Sequence, residues 1–363
     1  MKTGTILIMA GGTGGHVFPG LAVADYLRQL GWHIVWLGTQ AGMEQKLVPA
    51  RGYETEVISF SGLRGKQWTT WLILPLRLLK AFLQSIRILR RVKPDVVLGM
   101  GGYPAFPGGL MASLLNRPLI IHEQNALPGL TNKVLAQLAD KVMLGFPGAL
   151  GSAAGKTVFS GNPVRADITR VPLPQQRFQG REGRLKLLVV GGSLGAQILN
   201  TTVPLALRSI PAELRPQVVH QTGVAHVQTV QKTYADLGVT GEIMAFVEDM
   251  AKQYAECDLV VCRAGALTIA EISAAGVASI LVPYPYAVDD HQTSNARFLA
   301  DQGAALLIPQ SELNPEKLAQ WLTTLTRDKL LNMAGKARSL AKPEATRVVA
   351  EACIELSGVA HEA

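Results

Sequence analysis

The sequence predicts an α/β fold made of two Rossmann-like domains in tandem, each built on a parallel sheet. Short apolar runs alternate with helical patterns along the whole chain, which is typical of parallel strands joined by crossover helices. A weak internal repeat supports two domains, since residues 5–15 resemble 185–195 and residues 94–102 resemble 257–265 in the same order. The length of 363 residues agrees, because single cores stop growing at about 250–300 residues.

The apolar runs predict nine strands, in chain order, and a domain boundary between the fourth and the fifth. The predicted strands are 6–10, 33–37, 95–98, 119–122, 186–190, 217–220, 242–246, 258–261 and 279–282. Turn residues without periodicity fill 161–185, so we expect one domain to end at residue 162 and the next to span 163–342. A ligand is expected in a cleft at the carboxyl ends of both sheets.

Glycine turns after three of these strands predict that the ligand carries phosphate. They lie at residues 11–15, at residues 191–195 and at Gly265, and the helix after the first is expected to begin near Pro19. Glycine lets backbone N–H groups approach an anion, and a helix N-terminus behind the turn adds partial positive charge. A tight strand-to-helix connection explains any single turn as well. Glu271 is expected to be an exposed polar residue in the first turn of the third helix.

Several other site classes are excluded by missing residues. No Asp or Glu stands at the end of the second strand to bind a ribose, which argues against a dinucleotide cofactor. Residues 151–157 have one residue too few between their glycines for a Walker loop. No histidines pair at a metal-ligand spacing, so we expect neither a metal nor a cofactor. The adjacent acids Asp289 and Asp290 are better explained as a solvated loop pair. Three cysteines predict reduced, buried thiols.

The charge distribution predicts an anionic surface as a partner. The chain carries 35 basic and 27 acidic residues, and the whole surplus lies between residues 57 and 94, where no acid occurs. There Arg77, Lys80, Gln84, Arg87 and Arg91 form a helical stripe, and Leu79, Phe82, Leu83 and Ile86 are expected to oppose it. Trp68, Trp71 and Leu72 precede the stripe, a combination that suits the interface of an anionic bilayer better than nucleic acid. A solvated basic face explains the helix alone equally well.

The motifs together resemble the MurG family of cell-wall N-acetylglucosaminyltransferases, in order and from residue 5 to about residue 350. The matching segments are Gly11-Gly-Thr-Gly-Gly-His-Val-Phe-Pro-Gly20, Gly99-Met-Gly-Gly-Tyr103, His122-Glu-Gln-Asn125, Gly161-Asn-Pro-Val-Arg165, Gly191-Gly-Ser-Leu-Gly-Ala196, Arg263-Ala-Gly-Ala-Leu-Thr-Ile-Ala-Glu271 and Asp290-His-Gln292 with Asn295. The resemblance implies a GT-B fold, in which residues 343–363 return to the first domain. It also implies inverting transfer of GlcNAc from UDP-GlcNAc to the C4 hydroxyl of undecaprenyl-pyrophosphoryl-MurNAc-pentapeptide (lipid I), giving lipid II.

The same resemblance implies the donor site. Ser193 and its turn would contact the diphosphate with Arg165, Glu271 would accept from the ribose hydroxyls, and Val247 would present its backbone to uracil. The other residues implied on the donor side are Thr13, Gly14, Gly15, Asn125, Ala266, Leu267, Thr268, Ile269, Ala270 and Gln292.

On the acceptor side the general base stays open between two residues. His16 has a suitable intrinsic pKa and is expected to be the base or a diphosphate partner, unless it merely bonds within its loop. Glu123 competes with it, and Tyr103 and His122 are further acceptor-side candidates.

A lipid-linked acceptor must be met at a membrane, so we expect residues 64–93 to bind the cytoplasmic face of the inner membrane peripherally. Two alternatives remain from the sequence. One is a related GT-B glycolipid synthase that acts on diacylglycerol, and the other is a nucleotide-sugar binding protein without turnover.

Overall fold

The computed structural model describes residues 4–60, 73–150, 155–192 and 194–359, apart from the side chain of Val288. The chain divides into two compact units. The first comprises Met1–Arg165 and Pro343–Ala363, and the second comprises Ala166–Lys342.

The first unit is built on a parallel sheet with strand order β3-β2-β1-β4-β5-β6-β7 among the described residues. Its strands are β1 (Thr5–Ala10), β2 (His33–Thr39), β3 (Glu54–Ile58), β4 (Val96–Gly101), β5 (Leu119–Glu123), β6 (Lys141–Leu144) and β7 (Thr157–Phe159). Its helices are α1 (Gly14–Gln29), α2 (Glu44–Leu47), α3 (Leu74–Val92), α4 (Ala105–Leu114), α5 (Leu130–Leu138) and, from the end of the chain, α15 (Ala345–Ser357). Short 3₁₀ turns, here Pro49–Arg51, are not numbered.

Both faces of this sheet are buried, as continuous apolar strands require. Ile6 and Ile8 of β1 face a core that includes Val17 of α1 and Val349 of α15. The alternate side chains, such as Leu7, face the core on the other side of the sheet, which α3, α4 and α5 help to build. The order of strands reverses between β1 and β4, which is where sheets of this kind bind ligands.

The second unit repeats the plan with strand order β10-β9-β8-β11-β12-β13. Its strands are β8 (Lys186–Val190), β9 (Gln217–Gln221), β10 (Glu242–Met244), β11 (Leu259–Cys262), β12 (Ala278–Leu281) and β13 (Ala305–Leu307). Its helices are α6 (Ala166–Thr169), α7 (Pro174–Phe178), α8 (Gln197–Ser209), α9 (Val227–Asp236), α10 (Met250–Glu256), α11 (Ala266–Ala275), α12 (His291–Ala300), α13 (Pro315–Thr324) and α14 (Arg327–Ser339). The order reverses between β8 and β11. The two-domain Rossmann-like fold expected from the sequence is therefore confirmed.

The expected start of α1 near Pro19 is wrong. The helix begins at Gly14, because Gly12 turns the chain at a φ of +92° and the carbonyl oxygen of Thr13 then accepts the N–H groups of His16 and Val17. Pro19 lies inside the helix. Consequently His16 belongs to the first helical turn rather than to a loop ahead of it.

Four strands were not expected from the sequence: β3, β6, β7 and β13. Three of them are sheet edges, where side chains are less buried and the apolar pattern is weaker. The residues of β7, for example, are all half-buried. In addition, β10 ends at Met244, two residues earlier than expected, and Phe246 is exposed.

Candidate functional site

The first glycine turn lies at the point where the strand order of the first sheet reverses. Ala10 at the end of β1 pairs with Gly101 at the end of β4, so the turns that follow both strands meet. They meet closely, since a Cβ on Gly102 would lie 2.2 Å from the carbonyl oxygen of Gly11. Thr13, Gly14, Gly15 and Tyr103 are thereby brought to one end of this sheet, and 44% of Tyr103 is exposed.

His16 is half-buried in this place. Its Nδ1 lies 3.5 Å from the hydroxyl of Thr13, and its ring rests on Gly101, where a Cβ would lie 3.1 Å from Nε2. The ring therefore sits against β4 instead of extending freely into solvent.

Glu44 is a part of this site that the sequence did not reveal. Its carboxylate, 1% exposed, accepts the N–H of Gly12 at 3.1 Å and both the N–H and the hydroxyl of Thr39 at 2.9 Å. The residue opens a four-residue helix and has no motif around it. Only the folded chain brings it to the glycine turn.

His122 and Glu123 end β5 in a buried polar network. His122 bonds through Nε2 to the carbonyl oxygen of Gly161 and through Nδ1 to Gln124, both at 3.0 Å, and burial lowers its pKa to about 4. Burial also raises the pKa of Glu123, although four donors oppose that shift. The donors are the N–H and side-chain amide of Asn125, the N–H of Gly129 and the side-chain amide of Asn132.

The acceptor-side candidates differ in how accessible their side chains are. Glu123 is 2% exposed and uses both carboxylate oxygens, and His122 has no exposed surface. Asn125 is half-buried, with its backbone held by Glu123. His16 and Tyr103 are thus more accessible than His122 and Glu123.

The second glycine turn has the equivalent place in the second unit, after β8. Ser193 lies outside the described residues. Gln221, at the end of β9 and 3% exposed, donates from Nε2 to the carbonyl oxygen of Gly192 at 2.9 Å. Its Oε1 accepts the N–H of Val247 at 3.1 Å, and Val247 is itself buried. Gln221, which carried no sequence signal, connects the turn to the segment expected to face uracil.

Helix α11 begins directly after Gly265, beside the reversal of strand order. Leu267, Thr268 and Ala270 are half-buried, whereas Ala266 and Ile269 are buried. The expectation that Glu271 is exposed in the first turn is wrong. Glu271 lies in the second turn of α11 and is 9% exposed. It is buried because α11 packs against α10, from which the Tyr254 hydroxyl donates to Glu271 Oε2 at 3.3 Å.

Gln292 reaches the same end of the second sheet from α12. Its Oε1 accepts the N–H groups of Ala264, after β11, and of Tyr284, after β12. Arg263 donates to the carbonyl oxygens of Val282 and Pro283, each at 3.1 Å, and burial lowers the pKa of its guanidinium. Arg165, half-buried, ends the first segment of the first unit, although the sequence assigned it to the second domain.

Within the described ranges, no group of three or more His, Cys, Asp or Glu side chains lies close enough to hold a metal ion. No helix among the described residues has the length and apolar character needed to cross a membrane.

Helix α3 contains most of the described part of the basic segment, residues 64–93. Residues 64–72, with Trp68, Trp71 and Leu72, are not among the described residues. The expectation that Leu79 and Leu83 oppose the basic stripe is wrong. Both are exposed, and with Leu76, Lys80 and Arg87 they line a surface depression of about 300 Å³. The helix packs on the sheet instead through small and branched residues, because Ala81, Ser85, Ile88 and Leu89 are buried. Gln84 bonds to Ser59, and Arg91 pairs with Glu56.

Two parallel-sheet units, each with a glycine turn where its strand order reverses, are the architecture of the GT-B class of proteins. Sequence comparison identifies this member of the class as a glycosyltransferase. Residues 6–144 match the N-terminal domain of glycosyltransferase family 28, and residues 186–351 match its C-terminal domain.

Relatives that align with nearly the whole chain show which family within this class the protein belongs to. The chain is 62% identical to the UDP-N-acetylglucosamine--N-acetylmuramyl-(pentapeptide) pyrophosphoryl-undecaprenol N-acetylglucosamine transferases of Nitrosospira multiformis and Nitrosomonas europaea, covering 98% of this chain and 99% and 100% of those proteins. The crystal structure of MurG from Acinetobacter baumannii superposes with a TM-score of 0.83 at 43% identity, covering 97% of this chain and 99% of that one. The chain belongs to the MurG family, which confirms the resemblance found in the sequence.

Proposed function

We propose that this protein transfers GlcNAc from UDP-GlcNAc to the C4 hydroxyl of undecaprenyl-pyrophosphoryl-MurNAc-pentapeptide and releases UDP. The observation that carries the proposal is the 62% identity, over nearly the whole chain, to transferases whose names state this donor sugar and this acceptor. The acceptor oxygen attacks C1 of the donor sugar as the bond to the β-phosphate breaks, so the anomeric configuration inverts. The hydroxyl proton passes to a base of the protein.

The second unit is proposed to bind the donor. Its glycine turn at 191–195 and the start of α11 supply backbone N–H groups for a developing diphosphate charge, which helix N-termini favour. Because the N–H of Val247 is donated to Gln221, Val247 offers uracil its carbonyl oxygen. Glu271, oriented by Tyr254, is proposed to accept from the ribose hydroxyls. Gln292, whose Oε1 is occupied by two backbone N–H groups, has its Nε2 to donate to the sugar.

His16 is proposed as the general base. It is half-buried at the end of the first sheet, whereas Glu123 is buried and four hydrogen-bond donors occupy its carboxylate. A base must come within hydrogen-bond reach of the proton that it removes. Glu123 is better suited to holding the segment that carries Asn125.

Radiolabelled UDP-GlcNAc, incubated with the protein and either lipid I or diacylglycerol, tests the reaction. We expect label in lipid I alone. Label in diacylglycerol would support a glycolipid synthase instead, and no transfer to either lipid would indicate a binding protein without turnover.

Turnover of two variants with short acceptors tests the base. We expect His16→Ala to lower kcat by about a hundredfold or more, as loss of a general base does. We expect Glu123→Gln to lose less. A kcat near the wild-type value in His16→Ala would remove this residue from the role.

The protein is also proposed to bind the cytoplasmic face of the inner membrane through residues 64–93. In the described part, exposed Leu76, Leu79 and Leu83 lie beside Lys80 and Arg87, and aliphatic and cationic groups together suit an anionic bilayer surface. Co-sedimentation should require anionic vesicles and weaken with salt. A Lys80→Glu/Arg87→Glu variant should pellet less than Lys317→Glu, which changes a half-buried lysine of the second unit. Equal pelleting with neutral vesicles would contradict the proposal.

A further inference from the structure

We propose that Glu44 is a positioning residue for His16, and that it acts by fixing the backbone of the first glycine turn. The inference rests on the proposed function of His16 as the base. It concerns a residue that contacts neither substrate and acts through the backbone of the turn.

The carboxylate of Glu44 is fitted closely under this turn. It accepts three hydrogen bonds, one from Gly12 at one oxygen and two from Thr39 at the other, and a carboxylate has the acceptor capacity for all three. Glycines make the space for it, since a Cβ at Gly11 or Gly38 would lie 2.7 Å from the Glu44 side chain. Larger residues at these positions would push the carboxylate away.

Glu44 fixes the position of His16 through the backbone of the glycine turn. Gly12 is held at a φ of +92°, and the next residue but one begins α1. The carbonyl oxygen of Thr13 accepts the N–H of His16 at 3.1 Å, so the position of the imidazole depends on where the turn ends. The ring is then confined by Gly101.

The two glycine turns consequently differ in their electrostatics. In the first, the N–H of Gly12 is used by Glu44, and a negative charge lies within hydrogen-bond distance of the turn. In the second, the neutral amide of Gln221 holds the carbonyl oxygen of Gly192.

Glu44→Gln tests the inference with little change of volume. An amide has one acceptor oxygen, whereas both carboxylate oxygens accept a backbone N–H, so the NH₂ group must face one of these donors. We expect kcat to fall by about tenfold to a hundredfold, because small misplacement of a reacting group is costly. KM for UDP-GlcNAc and Kd for UDP should stay within about twofold of the wild-type values.

The matched control is Asp140→Asn, in the same sheet. Asp140 accepts the N–H of Leu119 at 2.8 Å, at the amino end of β5 and so at the opposite end from the turn. This variant should keep kcat even if its Tm falls as far as that of Glu44→Gln. Thr39→Val, which removes one donor and leaves the charge, should lower kcat less than Glu44→Gln does.

Imidazole resonances provide a readout that needs no turnover. In folded Glu44→Gln those of His16 should shift, and those of His33 should not. The inference is overturned if the folded variant keeps kcat, if the His16 resonances stay in place, or if donor KM rises as much as kcat falls. Absence of transfer by the wild-type protein would instead overturn the proposed function, and the resonances would still test the positioning.

Discussion

The side-chain amide of Gln221 donates a hydrogen bond of 2.9 Å to the carbonyl oxygen of Gly192, in the second glycine turn. The same amide accepts the N–H of Val247, so one buried side chain at the end of β9 connects the loops that follow its two neighbouring strands, β8 and β10. The loop expected to hold the diphosphate and the segment expected to hold uracil are thereby kept in a defined spacing.

Replacing Gln221 by Leu should weaken donor binding. The change leaves the buried N–H of Val247 without its partner, at a cost of about 1–3 kcal/mol, and releases the carbonyl oxygen of Gly192, so both loops are free to rearrange. We expect Kd for UDP, measured by calorimetry, to rise by about tenfold. Gln217→Leu, in an exposed position at the start of the same strand, is the control and should bind UDP like the wild-type protein. Normal UDP affinity in folded Gln221→Leu would show that the bridge is dispensable.

Acid should destabilise the protein through His220, which bonds to Asn200 and Tyr234 in the core of the second unit. Burial lowers its pKa from 6.5 to about 4, so the unfolded chain binds the proton more tightly than the folded one. The stabilisation is complete above pH 6.5 and is lost as the pH falls to about 4, by up to about 3 kcal/mol.

Urea unfolding between pH 7 and pH 4 checks this effect. The free energy of unfolding of His220→Gln should fall less steeply over this range than that of the wild-type protein. His33→Gln, which alters an exposed histidine beside Glu54, should follow the wild-type slope. Parallel slopes for wild type and His220→Gln would contradict the assignment.

Among the charged residues of the second unit, Asp258 is the one whose removal should lower the free energy of unfolding most. Its side chain has no exposed surface and pairs with Arg181 at 2.7 Å and Arg327 at 3.3 Å. Removing one partner of a buried ion pair leaves the remaining charge without a counter-ion. Asp258→Ala should therefore lower the free energy of unfolding by about 3–5 kcal/mol. In Glu355→Gln, which breaks an exposed pair with Lys141, we expect almost no change. Similar denaturation midpoints for the two variants would refute the distinction.

Lys93→Gly should stabilise the first unit. Lys93 ends α3 in the left-handed region, at a φ of 49°, where a side chain is strained and glycine is not. The gain should be about 1 kcal/mol in thermal or chemical unfolding. Lys93→Ala removes the same charge without relieving the backbone and should show no such gain. Stabilisation by both substitutions would point to the charge instead of the backbone.

Most of the candidate site residues could be proposed from the sequence because their motifs are local. A glycine turn such as 11–15 follows its strand directly, and the strand and the turn are both written in consecutive residues. The contributions of Glu44 and Gln221 were not recognisable. Each acts on backbone groups 26 to 32 residues away, through a contact made only when neighbouring strands align.

The sequence by itself determined the class of the protein: two parallel sheets, their glycine turns and the family to which the chain belongs. Local apolar periodicity and contiguous motifs carry that information. Only the tertiary structure decided which site residues are accessible, since burial depends on what packs against a side chain. It placed Glu271 and Glu123 inside while it left Leu79 and Leu83 outside.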